Sequence, residues 1–265
     1  MSFSTEVLLR SEQTGDRIAV VRNTVPAGWG GPPLHHHAFD EAFYVLDGEL
    51  TFEVAGERLV AGPGAFAFAP HDVVHTVANH GDSAATYVLL ITPGGFERYF
   101  DELAGGPKGA SYPETIVVGP PLEPRDPDGR IAPADGPVRI LLRGEDSGGV
   151  IGVVDNDVGA GSAGPHLHRH DFDETFCVLE GALTFQVDEA LVPVSAGEVA
   201  FAPRGVAHTF TNRDGGPARF LIVLTESGFE RHFARIAAGR AGVEPPAWAQ
   251  QPVPDVTRVG AQIGG

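Results

Sequence analysis

The strongest constraint on this chain is that its sequence repeats itself. Asp40-Glu41-Ala42-Phe43-Tyr44-Val45-Leu46-Asp47-Gly48 returns as Asp173-Glu174-Thr175-Phe176-Cys177-Val178-Leu179-Glu180-Gly181, an offset of 133 (173 minus 40). The same offset carries Leu8-Leu9-Arg10 onto Leu141-Leu142-Arg143, Phe66-Ala67-Phe68-Ala69-Pro70 onto Val199-Ala200-Phe201-Ala202-Pro203, and Gly95-Phe96-Glu97-Arg98 onto Gly228-Phe229-Glu230-Arg231. Over about 98 aligned positions roughly 45% are identical without a gap, and two copies are too few for a solenoid, so two duplicated domains remain. The expected bounds are 1–104 and 139–238, with a Pro/Gly-rich linker at 105–138 and a similar tail at 239–265. Their prolines resist helix and inner strand alike, so linker and tail are expected either to wrap their domains or to be disordered spacers.

Within each repeat the apolar residues alternate. Leu50, Phe52 and Val54 interleave with Thr51 and Glu53, and Leu183, Phe185 and Val187 with Thr184 and Gln186, which predicts half-buried strands. Gly48 and Gly181 stand where a tight hairpin needs a positive φ. Many short strands joined by such turns predict an all-β antiparallel barrel or jelly roll in each repeat. One short helix per repeat is expected at its C-terminal end, near Phe96–Leu103 and Phe229–Ile236, where aromatic and aliphatic residues recur at helical spacing.

Chemistry concentrates in one constellation. His35 and His37 lie two apart, which on a strand puts both rings on one face. Glu41 follows, and His75 arrives from a distant strand. The second repeat keeps every member as His168, His170, Glu174 and His208. Three imidazoles and one carboxylate suit one divalent transition metal per domain, Fe, Ni, Mn, Co, Cu or Zn. Candidate walls are Phe43, Val45, Phe52, Phe66 or Phe68, and Val77 in one barrel, with Phe176, Val178, Phe185, Phe201 and Phe210 in the other; for each residue taken separately, ordinary barrel core is the favoured reading.

These residues resemble the cupins, specifically the two-domain bicupins. The family's first motif, a His-x-His pair, a glutamate and a closing glycine, is matched by His35, His37, Glu41 and Gly48 and by His168, His170, Glu174 and Gly181. The second motif is matched by Gly197, Pro203, Gly205, His208 and Asn212; the first repeat reads Gly64, Pro70, Asp72, His75 and Asn79. Asp72 replaces a glycine, and because Asp tolerates left-handed angles the turn is expected to survive. The resemblance implies two tandem double-stranded β-helix barrels.

It extends to the quercetinase-like branch through Thr92-Pro93-Gly94-Gly95-Phe96-Glu97. It therefore implies a metal-dependent dioxygenase acting on an enolisable aromatic or polyketide-like small molecule, with substrate and dioxygen bound side by side. Glu41 and Glu174 are the candidate catalytic bases as well as ligands. The alternatives are a metal-assisted isomerase or polyketide-type cyclase, and a metal- or ligand-binding bicupin without turnover; oxalate-type decarboxylation ranks behind them. Trp29 against Ser162, Pro33 against His166, His36 against Arg169, Tyr44 against Cys177 and His71 against Arg204 are the differences expected to separate the two sites.

The formal charge of −17 leaves no basic surface for nucleic acid or anionic membranes. The single cysteine, Cys177, permits no intramolecular disulfide. With no signal-peptide pattern after Met1, a cytoplasmic protein is expected. Its two domains are expected to pair within a monomer as single-domain cupins pair in dimers, unless a higher homo-oligomer forms.

Overall fold

The structure is a computed structural model that describes residues 2–213 and 216–264. Met1 and Gly265, the outer bounds expected for the first domain and the tail, lie outside the described residues. The chain divides into two compact units, Met1–Ala134 and Asp135–Gly265.

The first unit is built from β1 (Ser4–Leu9), α1 (Ser11–Thr14), β2 (Ala19–Val25), β3 (His35–His37), β4 (Asp40–Asp47), β5 (Leu50–Val54), β6 (Glu57–Ala61), β7 (Phe66–Ala69), β8 (His75–Ala78), β9 (Ala85–Thr92), α2 (Glu97–Leu103), β10 (Thr115–Val117) and β11 (Gly129–Ile131). They form one sheet in the order β1-β2-β9-β4-β7 and another in the order β10-β3-β8-β5-β6-β11. The second unit repeats this with β12 (Val138–Leu142), β13 (Ile151–Val158), β14 (His168–Arg169), β15 (Asp173–Glu180), β16 (Ala182–Val187), β17 (Ala190–Ser195), β18 (Val199–Ala202), β19 (His208–Thr211), β20 (Ala218–Thr225), α3 (Glu230–Ala241) and β21 (Thr257–Arg258). Its sheets run β12-β13-β20-β15-β18 and β17-β16-β19-β14-β21.

The alternation read from the sequence sets the inner layer. Leu50, Phe52, Leu183 and Phe185 are buried, with Val54 and Val187 half-buried at the strand ends. On β4 and β9 the same period buries Phe43, Val45, Tyr87 and Leu89, and in the second unit Phe176, Val178, Phe220 and Ile222. Each unit thus has its own continuous apolar core.

The segments expected as linker and tail contribute strands. β10 pairs antiparallel with β3, Val117 facing His35, and β21 pairs with β14, Arg258 facing His168. The backbone of Leu34 bonds Pro120 and Val118, as that of Leu167 bonds Ala261 and Val259. Pro113-Glu114-Thr115-Ile116-Val117-Val118-Gly119 matches Pro254-Asp255-Val256-Thr257-Arg258-Val259-Gly260 at an offset of 141 (254 minus 113). A strap therefore closes each duplicated unit. It escapes a search at constant offset because α3 and the turn after it are longer than α2 and its turn.

Two backbone positions hold the loops against the site. Gly31 and Gly164 have φ of 76° and 70°, and a Cβ there would lie 1.8 Å from Val77 O and 1.7 Å from Phe210 O. Asp72 adopts φ 60° where Gly205 adopts 76°, so the substituted glycine keeps its left-handed turn. Because a Cβ-branched residue pays most for that conformation, Asp72→Val is expected to destabilise the protein by about 1–2 kcal/mol and Asp72→Gly to change stability little, as read by denaturant melts.

Candidate metal centres

Both predicted quartets come together. His35, His37, Glu41 and His75 offer ligand atoms within 4.8 Å of one another, as do His168, His170, Glu174 and His208. The histidines come from one sheet and the glutamate from the other, because β3 and β8 pair His35 with His75 while β4 lies in the partner sheet. The second unit pairs His168 with His208 in the same way. Seven of the eight are buried, and His168 is half-buried.

The outward contacts of the rings decide what the inward nitrogens can do. Nδ1 of His35, His37 and His75 lies 2.7, 2.7 and 2.8 Å from the backbone carbonyls of Pro33, Phe39 and Val73. Nδ1 of His168, His170 and His208 meets the carbonyls of His166, Phe172 and Val206 at 2.7, 2.8 and 2.9 Å. A carbonyl only accepts, so all six rings carry hydrogen on Nδ1, and in a neutral ring Nε2 is a bare lone pair aimed inward. His37 Nε2 is buried without a hydrogen bond, and Nε2 of His170 and His208 face each other at 3.2 Å. A buried acceptor left unpaired, as His37 Nε2 is, costs about 1–3 kcal/mol, a cost removed by a cation that takes its lone pair. The donor set fits a divalent transition metal in both domains. Each unit therefore holds one His/Glu metal-binding site.

Further residues brace the rings. His37 stacks on Phe39 at 3.5 Å between centroids and His170 on Phe172 at 3.6 Å, and those phenylalanines contact Phe96 and Phe229. Asp40, buried beside Glu41, accepts bonds from the backbone N–H and the ring of His71, both at 2.7 Å, and Asp173 accepts the backbone N–H of Arg204 at 2.8 Å. This ties the glutamate strand to the turn that delivers the distant histidine. The His71/Arg204 difference changes the side-chain partner and keeps the tie. Asn79 and Asn212 donate to loop carbonyls behind the site.

The electrostatics follow from burial and contact. Burial alone would raise Glu41, but His37 and His75 hold it far below the usual carboxylate range, and His170 and His208 do the same for Glu174. Burial pulls His75 and His208 down, yet the glutamate bonds, at 3.2 and 2.8 Å, outweigh it and shift both upward. Burial lowers His35 and His168. Cys177 is buried and its thiol pushed up to about 12, so it packs as a small apolar residue.

A cavity of about 650 Å³ opens onto His35, Glu41 and His75, and one of about 700 Å³ onto His168, Glu174 and His208. Of the expected walls, Phe43 and Val77 line the first and Phe176 and Phe210 the second; Val45, Phe52, Val178 and Phe185 lie in the core behind. Phe66, Phe68 and Phe201 are not walls. Their strands turn Ala67, Ala69, Ala200 and Ala202 inward, because Ala69 pairs with Glu41 and Ala202 with Glu174, where a large side chain would fill the site.

The walls that the sequence did not reveal come from the helices and straps. Phe96, Tyr99, Phe100 and Leu103 line the first cavity with Tyr112, and Phe229, His232, Phe233 and Ile236 line the second with Arg240 and Arg258. Their helical spacing was legible as a docking face; that it docks over a cavity was not. His166 is exposed at the second mouth, opposite the position of Pro33 in the first.

A family model for the cupin domain matches residues 21–92 and again 152–224, so the chain belongs to the cupin family as a tandem bicupin. Quercetin 2,3-dioxygenase of Bacillus subtilis (strain 168) is 28% identical over 108 residues, 40% of this chain and 32% of that protein, so the match spans about a third of the curated relative's length. Among solved structures, a Lactobacillus farciminis oxalate decarboxylase formate complex superposes with a TM-score of 0.59 at 16% identity, covering 94% of this chain and 91% of that one. Salicylate 1,2-dioxygenase from Pseudoaminobacter salicylatoxidans with gentisate gives 0.62 at 11% identity, covering 84% and 73%. These two likenesses establish the bicupin fold.

His75 and His208 donate through both nitrogens and so hold a proton where a cation would bind. Metal uptake is expected to release protons, and apparent affinity to fall as pH drops through the raised values of these histidines. Calorimetric titration in buffers of differing ionisation enthalpy measures the release, and elemental analysis is expected to give two metals per chain.

Proposed function

We propose that this cupin is a metal-dependent dioxygenase for an enolisable aromatic or polyketide-like small molecule, with the two quartets as ligands and Glu41 and Glu174 as candidate bases. The observation that carries the reading is the first cavity, whose walls of Trp29, Phe43, Phe96, Tyr99 and Phe100 lead directly to His35, Glu41 and His75. Aromatic walls exclude water and favour a flat apolar ligand, and a few convergent polar groups fix its orientation. A bound divalent metal would supply Lewis-acid and oxygen chemistry at that point. Glu41, acceptor-only when ionised and exposed to the cavity, is placed to take a hydroxyl proton from the ligand. The likeness to a quercetin dioxygenase supports the same class.

The test is oxygen uptake by metal-loaded protein with a flavonol such as quercetin or a β-diketone. Uptake should match product and vanish in His35→Ala plus His168→Ala. Glu41→Gln is expected to lower kcat by roughly a hundredfold or more. Turnover that persists under strict anaerobiosis would instead establish an isomerase or cyclase.

A second reading is favoured for the second cavity by Arg240 and Arg258, which line it and have no carboxylate partner among the described residues. The first cavity has no arginine in its wall, so these two suit a carboxylate-bearing ligand, of the kind that oxalate decarboxylase takes. Arg258→Leu should weaken the binding of oxalate or 2-hydroxybenzoate to metal-loaded protein about tenfold by calorimetry; unchanged affinity for both would sink this reading.

A further inference from the structure

We infer that Tyr87, together with Thr115 from the other sheet of the same cavity, receives the oxygens of the ligand in the N-terminal pocket and sets that pocket's specificity. This rests on the dioxygenase reading and names the chemistry by which the first site would choose its substrate.

Tyr87 sits on β9 opposite Asn23 of β2, on the strand face that also packs against Phe43. Both are buried, at 3% and 0% exposure. Their one hydrogen bond joins Asn23 Nδ2 to the Tyr87 hydroxyl at 3.2 Å, and Asn23 Oδ1 has no partner. The phenolic hydrogen then has no acceptor among the described residues. If the amide is turned over, the hydroxyl donates to Oδ1 and the two amide hydrogens are left instead. Either way the pair holds a surplus donor in an apolar setting, an arrangement that is costly unless something accepts from it. Tyr87 is the member of the pair that lines the cavity, so with the amide oriented as found its hydroxyl is the donor that a ligand meets. Burial pushes the phenol upward, against the opposing pull of the Asn23 bond, which keeps the hydroxyl protonated at neutral pH.

Thr115, from the strap, gives an independent observation. Its Oγ1 is buried without a hydrogen-bond partner, and it lines the same cavity as Tyr87, Glu41 and His75. The second unit supplies the contrast. Phe220 stands at the place of Tyr87, paired with Asn156 as Tyr87 is with Asn23, and Val256 stands at the place of Thr115 in the strap alignment. Both hydroxyls thus belong to the first pocket, with no counterpart at the matching places of the second, while the metal quartets of the two units are the same. A carbonyl or enolate oxygen on a flat aromatic ligand is the acceptor that fits.

The experiment uses the full metal-loaded chain carrying Trp248→Phe, which leaves Trp29, in the wall of the first cavity, as the fluorescent reporter. Anaerobic titration with quercetin is compared with 2-phenylnaphthalene, a hydrocarbon of similar width without oxygen. Tyr87→Phe, which copies Phe220, is expected to weaken quercetin on the order of tenfold and to leave the hydrocarbon within about twofold. Thr115→Val, which copies Val256, is expected to act in the same direction and keeps the test available should Tyr87→Phe not fold. Quercetin bound equally by wild type and both variants overturns the inference while leaving the dioxygenase reading standing. Equal losses for both probes overturn it as well, since they mark a packing defect. Failure of wild type to bind quercetin overturns this inference, and the dioxygenase reading falls with it only if oxygen uptake is also absent with both the flavonol and the β-diketone.

Discussion

Six backbone carbonyls, one behind each histidine ring, are the contacts on which the rest of this protein depends. By accepting from Nδ1 they aim Nε2 inward, where it is a lone pair whenever the ring is neutral, and they do so in both units with lengths between 2.7 and 2.9 Å. Three inward lone pairs and a carboxylate repel unless a cation lies among them. The carbonyls belong to residues two positions from each histidine, so the site is wired into the local chain rather than into remote packing. Its second requirement is room, met by the alanines of β7 and β18 opposite the glutamates.

Around that centre the fold spends buried charge where chain segments must be held together. Glu97 and Glu230, fully buried at the helix starts, accept the backbone N–H of Ser11 and Gly95 and of Gly144 and Gly228 respectively. A buried carboxylate bonded in this way is stabilised because each of its oxygens meets a fixed donor. The bonds pin α2 and α3 over the cavity mouths, which explains why Gly-Phe-Glu-Arg recurs: glycine supplies the donor, phenylalanine braces the ligand ring and glutamate anchors the helix.

Much of this was legible from the sequence, for reasons that can be named. The eight metal-site residues were visible because strand alternation fixes which side chains share a face, and the duplication removed the ambiguity of a lone His-x-His. The turn at Asp72 was visible because few residues tolerate its conformation. The cavity walls were less so: the period of two told that Phe66 and Phe68 share a face but not which face, and only the pairing of Ala69 with Glu41 decides it. The straps stayed hidden because their proline-rich composition reads as linker and their offset differs from that of the barrels. Asn23 and Tyr87 carried no sequence signal, since a strand tyrosine is ordinarily core.

The duplication also indicates where change has been tolerated. Ligands, outward carbonyl contacts, aromatic braces and buried glutamates are kept in both units, and each of these acts on the geometry of the metal. Tyr99 against His232, Val117 against Arg258 and Trp29 against Ser162 fall on the walls of both cavities, and Tyr87 lines the first where Phe220 lies in the core of the second unit. A change in the inner layer unsettles four ligands at once, whereas a change in the wall alters one contact with a ligand. Two copies of one scaffold can therefore drift apart in what they bind while remaining alike in how they hold metal, and the chain bears that division within its own sequence.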